Sequence, residues 1–107
     1  MAEPALDLSE IIDLYKEDAK RMVEKMRGAL LQWDDIKLGG APRQELRKLS
    51  HQLRGSGRTY GFCQVTRVSK AIENIMLKLE TSKVPADERA RKTLFKKIER
   101  LASLFAA

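Results

Sequence analysis

Residues 43–57 read Arg43-Gln44-Glu45-Leu46-Arg47-Lys48-Leu49-Ser50-His51-Gln52-Leu53-Arg54-Gly55-Ser56-Gly57. Leu46, Leu49 and Leu53 recur at i, i+3 and i+7, which is one face of a helix and not the alternation of a strand. At about 100° per residue these leucines share a narrow arc, and His51 lies roughly 170° from its centre. The imidazole, the only one in the chain, is therefore expected in solvent. Gln44, Arg47, Arg54, Gly55 and Arg58 share its face at helical offsets. The helix is expected to fray at Gly55-Ser56-Gly57, where small residues weaken helical propensity.

Three more amphipathic stretches surround this one. Leu8, Ile12, Tyr15, Ala19, Met22, Met26, Leu30 and Trp33 follow a 3–4 alternation, predicting a helix over 8–32 that ends where Asp34-Asp35 leads to Gly39-Gly40-Ala41-Pro42. Val65, Val68, Ile72, Ile75 and Leu79 mark a helix over 62–81. Beyond the breaker Thr81-Ser82-Lys83-Val84-Pro85, Leu94, Ile98, Leu101 and Phe105 mark another over 86–105, with Asp87-Glu88 suited to its N-terminal dipole. Four such helices with short connections bury their stripes most simply as an all-α, antiparallel up-down four-helix bundle.

Composition limits the function. The chain has 107 residues, 43% hydrophobic and 34% charged, which suits one domain over 1–107 and leaves no room for a multi-domain enzyme. One Cys and one His make neither a disulfide nor a zinc site, so no metal and no cofactor is expected in this chain. Cys63 reads as a small buried apolar residue, and Tyr15, Met22, Met26 and Trp33 as core. No signal peptide or membrane span is read, so a cytoplasmic location is expected, and the absence of an obvious extra apolar stripe leads to the expectation of a monomer. Residues 1–42 hold 6 basic and 9 acidic side chains, and residues 43–107 hold 15 and 6. A net of −3 is thus followed by +9, which favours an acidic partner for the second part. Lys92, Lys96, Lys97 and Arg100 read as a solvated basic side of the last helix.

The His51 face carries the chemistry. Guanidinium groups beside the ring disfavour a further positive charge, leaving a neutral imidazole able to attack, and they complement a phosphoryl group. Gly55 removes bulk one turn on, so a protein donor can come close. The chain has neither a P-loop nor a kinase motif set and would not itself use ATP.

The run His51-Gln52-Leu53-Arg54-Gly55-Ser56-Gly57-Arg58-Thr59-Tyr60-Gly61-Phe62, extending to Val65, Val68, Ala71 and Glu73, resembles the histidine-containing phosphotransfer (Hpt) domains of multistep two-component phosphorelays. The resemblance implies that His51 is phosphorylated on Nε2, that Arg54 supports the phosphoryl group and that Gly55 opens space for a receiver domain. Gln44, Arg47 and Arg58 lie on the same face by their helical offsets and are candidates for receiver docking, with Arg47 and Arg58 reading equally well as solvated surface charges. It implies a phosphocarrier and not an enzyme, with Mg²⁺ on the partner receiver. The partners it implies are response-regulator receiver domains and a hybrid sensor histidine kinase, and the receiver would pack on the first two helices. Arg54 stands where lysine is commoner in the family, and Gly57 where Ala or Ser is more usual, which is expected to loosen the helix end.

Two other functions compete. A receiver-docking bundle that takes no phosphate would bind equally well without His51. Nucleic-acid binding through the basic half is disfavoured, because no aromatics interleave the arginines and no helix-turn-helix or finger pattern is present.

Overall fold

The computed structural model describes residues 7–32, 41–82 and 88–106. Four helices follow in order: α1 (Leu8–Leu31), α2 (Ala41–Thr59), α3 (Cys63–Ser82) and α4 (Glu88–Phe105). There is no strand among the described residues. Each helix packs on two neighbours in a ring, α1 on α2 and α4, and α3 on α2 and α4. The run is antiparallel throughout: Tyr15 meets Ser56 across α1 and α2, Arg54 meets Glu73 and Arg47 meets Glu80 across α2 and α3, and Tyr15 meets Phe105 while Arg27 meets Glu99 across α1 and α4. The up-down four-helix bundle expected from the apolar stripes is the observed fold.

The core follows these stripes with one shift. Leu46, Leu49, Leu53, Val65, Ile72, Leu94, Ile98, Leu101 and Phe105 are all buried as their periodicity requires. In α1 the seam runs through Tyr15, Ala19, Val23, Met26 and Ala29, while Leu8, placed on the stripe by its spacing, is exposed. Tyr15 faces Phe105, the last residue of α4. Leu8 therefore lies about 10 Å beyond the end of its partner at the helical rise per residue. Trp33, Asp34, Asp35, the Gly39-Gly40 turn, Pro85 and Asp87 fall outside the described residues.

Local chemistry sets the helix ends. Asp7 caps α1, its carboxylate accepting from the Glu10 amide at 2.8 Å. That bond and one from the Ser9 side chain hold the Asp7 carboxyl below its ordinary value. Between α2 and α3 the chain turns at Gly61, whose φ is +81°. Phe62 N donates to Gly57 O at 2.7 Å and Gly61 N to Arg58 O at 3.4 Å, the paired bonds of a Schellman motif that needs a residue in the left-handed region.

The expected fraying at Gly55-Ser56-Gly57 does not occur; α2 runs on to Thr59. Gly57 is buried against α3, and a Cβ there would stand 2.8 Å from Thr66 Oγ1 and 3.1 Å from the Thr66 amide nitrogen. The missing side chain brings two helices together, and tertiary contact outweighs the propensity cost of about 1 kcal/mol. Gly57 therefore tightens the end of α2 where a loosening was expected. Tyr15 stacks on Tyr60 and touches Phe62 and Phe105, closing this end of the bundle with aromatic rings. Cys63 is exposed, not buried. It opens α3, whose buried side begins at Val65.

Candidate functional site

The continuity of α2 through its glycines places His51 on a regular helix, one residue past the buried Ser50. The His51 side chain is 65% exposed. The ring is not isolated on a cationic face, as its sequence neighbours suggested. Its Nδ1 lies 2.9 Å from Oε2 of Glu73 on α3, and the other carboxylate oxygen, Oε1, accepts from Arg54 Nη1 at 3.0 Å. Glu73 is only 9% exposed and thus sits beneath both side chains.

This arrangement constrains the imidazole. A carboxylate cannot donate, so Nδ1 carries the hydrogen in its bond to Glu73, and the lone pair of the neutral ring is on Nε2. Arg54 Nη2 is 3.5 Å from Nδ1, and since Nδ1 is the donor it does not accept from the guanidinium as well. Glu73 therefore holds His51 and Arg54 in register with each other. The local charge also differs from the expectation: the group nearest the ring is an anion supplied by another helix.

The other predicted residues divide. Gln44, Arg47 and Lys48 line one groove with His51, Gln52 and Glu73. Arg47 is tied to Glu80 of α3. Arg58, in the last turn of α2, is exposed and makes no ion pair among the described residues. At Gly55 a Cβ would meet nothing within 4 Å, so the fold itself has no need of a glycine there.

Two features escape the reading of α2 by itself. Glu73 belonged to the matching run but received no role; the signal was a carboxylate one residue after Ile72 on the side of α3 that enters the core, since a buried charge demands a partner. The second is an apolar groove between α1 and α2, lined by Ile11, Leu14, Asp18, Met22, Gln52 and Tyr60. Leu14 is 59% exposed there. Gln52 lines both this groove and the one that holds His51, so the two adjoin at that side chain.

Among the described residues no three His, Cys, Asp or Glu side chains gather into a metal-binding group. No described helix is long and apolar enough to cross a membrane. The basic side of α4 exposes Lys92, Lys96 and Arg100, while Lys97 is half-buried.

Fold and site together define a class: an all-helical bundle that presents one imidazole, held by a carboxylate, on its outer face. The chain matches the family described as Hpt domain over residues 10–104 and belongs to it. Neither a curated protein nor a solved structure matches it significantly. Hpt domains are phosphocarriers of two-component phosphorelays and interact with receiver domains.

Proposed function

We propose that His51 is the phosphoacceptor of this Hpt domain, taking a phosphoryl group from a receiver aspartyl-phosphate and passing it to the aspartate of another receiver. The observation that carries this reading is the 2.9 Å contact between His51 Nδ1 and Glu73, on a ring 65% exposed. With Nδ1 protonated, Nε2 attacks phosphorus. The Nε2–P bond forms, the acyl O–P bond breaks, and its electron pair returns to the receiver carboxylate. The ring gains positive charge as it is phosphorylated, and Glu73 stabilises that charge without any proton leaving Nδ1. Mg²⁺ and the remaining catalytic groups come from the receiver.

The receiver docks across α1 and α2. Leu14, Ile11, Met22 and Tyr60 supply an apolar patch that runs up to Gln52, the neighbour of His51, and apolar surface open to water beside a reactive group favours a protein partner. Gly55 leaves the ring open to that partner, and Arg54 supports the phosphoryl group from the Glu73 side. Gln44, Arg47 and Arg58 form the polar rim.

The test is to incubate the purified chain with a panel of phosphorylated receiver domains and look for label that is acid-labile and alkali-stable, with His51→Gln as control. Label on wild type and none on the variant is the expected result. Receivers that bind wild type and His51→Gln equally, without transfer to either, would make the chain a docking module.

A further inference from the structure

The cations around His51 are not equivalent. Arg54 is bound to Glu73 and Arg47 to Glu80, both carboxylates of α3. Arg58 stands about 10 Å further along α2, at i+7. Lys48 is different: it is exposed, it lines the same groove as His51 and Glu73, and it has no anionic partner among the described residues.

Its position on the helix matters as much as its freedom. Taking Leu46, Leu53 and Gly57 as the buried side, about 100° per residue puts Arg47 and Arg54 on the α3 flank of the ring. Lys48 lies about 60° round from His51 in the opposite direction, close to Gly55 and towards Gln52. Gln52 belongs to the groove between α1 and α2. Lys48 is thus on the side from which a partner seated on α1 and α2 reaches the imidazole. Residues three apart on a helix have Cβ atoms about 5–6 Å from each other, within reach for a lysine ammonium and a group on Nε2.

Resting on the phosphoacceptor reading of His51, we propose that Lys48 binds the phosphoryl group in transit, its ammonium donating to the phosphoryl oxygens on the receiver side of the ring. Arg54 is held to the opposite side by the carboxylate it shares with His51. Lys48 shares its charge with no carboxylate of the described residues when it meets the incoming phosphoryl group, whereas Arg47 and Arg54 are each already paired with one. During the step, Nε2–P forms, the receiver's acyl O–P bond breaks with its electrons on the aspartate, Nδ1 keeps its proton, and Lys48 stays protonated throughout.

Phosphoramidate, a small phosphoryl donor to imidazoles, provides a test that does not depend on a receiver. Wild type, Lys48→Gln and Lys48→Arg are loaded with it, and the phosphoryl group is titrated by phosphorus NMR. A cation in contact holds the phosphoryl oxygens ionised to lower pH. The titration is therefore expected to move to higher pH in Lys48→Gln and to stay near wild type in Lys48→Arg. Coincident curves for wild type and Lys48→Gln would overturn the proposal. With a receiver that labels wild type, single-turnover transfer at saturation is expected to slow about tenfold in Lys48→Gln, while binding of the unphosphorylated receiver changes by less than about twofold. Weaker binding with unchanged transfer would also overturn it, leaving Lys48 a docking charge. Phosphoryl label that persists on His51→Gln would instead sink the phosphoacceptor reading on which the proposal rests.

Discussion

Glu73 Oε2 lies 2.9 Å from His51 Nδ1, joining a side chain 9% exposed to one 65% exposed across two helices. Its other oxygen accepts from Arg54, so one carboxylate sets both the tautomer of the ring and the position of the arginine. A carboxylate that orients a metal-bound imidazole is worth about 10–100-fold in activity, and Glu73 orients the metal-free ring of His51 through the same kind of bond. Glu73→Gln is expected to slow single-turnover transfer by that order with the helical fold intact. Nitrogen NMR of the imidazole should show the Nδ1-protonated population falling in parallel. Transfer at the wild-type rate would remove Glu73 from the mechanism.

Gly55 and Gly57 sit two residues apart on α2 and answer to different demands. At Gly57 a Cβ meets Thr66 Oγ1 at 2.8 Å and Val65 Cγ1 at 3.1 Å, whereas at Gly55 it meets nothing within 4 Å. Gly57→Ala is expected to destabilise the fold by about 1–3 kcal/mol through overpacking. Gly55→Ala should instead stabilise it by about 0.5–1 kcal/mol, the usual gain in a helix interior. Urea unfolding of the two variants reads the stability, and receiver transfer reads the cost of placing a methyl group beside His51. A Gly55→Ala variant that is more stable and still transfers at full rate would remove the case for Gly55 as an opening for the receiver.

The contrast between these glycines marks how far the sequence can be read. Periodicity found all four helices and most of the core, because the positions that alternate at 3.6 residues are those that face a neighbour. It misplaced Leu8, since a repeat along one helix does not show where the partner helix ends. It made Gly57 a weakness, since propensity belongs to the chain and close approach to a pair of helices. For the site, His51, Arg54 and Gly55 were legible because they lie on one helix at fixed offsets. Glu73 contacts the ring from 22 positions away, and a wheel drawn for α2 cannot contain it. Arg47 likewise looked like an unpaired surface charge until α3 brought Glu80 to it.

Tyr15 ties α1 to α2 through a 3.0 Å hydrogen bond with Ser56 Oγ. Burial is the main cause that raises its phenol above the ordinary value of 10.0, against a smaller lowering by the Ser56 bond. A folded-state pKa above the unfolded one means that the stabilisation is complete below about pH 10, the unfolded value, and is lost as pH rises through the folded value. Stability is therefore expected to fall on the alkaline side, with a flatter profile in Tyr15→Phe, which has nothing to ionise there. Denaturant unfolding between pH 8 and 11, roughly a unit or two either side of the unfolded phenol, checks this. Identical slopes in the two proteins would show that other groups govern the alkaline limit.

Leu14 lies next to Tyr15 in sequence but opens onto the groove instead of the core, at 59% exposure against 7%. This difference predicts a separation of effects. Leu14→Asp removes little buried area, so thermal unfolding should shift only slightly, within about 0.5 kcal/mol for an exposed substitution. The same change puts a charge into the apolar patch beside His51, and receiver binding should weaken by about tenfold or more, the cost of about 1.4 kcal/mol at an interface. Loading of His51 by phosphoramidate should be unaffected, because the ring, Glu73 and Arg54 do not touch the substituted side chain. Calorimetric titration with a receiver that labels the wild type, paired with loading followed by phosphorus NMR, separates the two. Unchanged receiver affinity in Leu14→Asp would place the docking surface elsewhere and leave the groove between α1 and α2 without a partner.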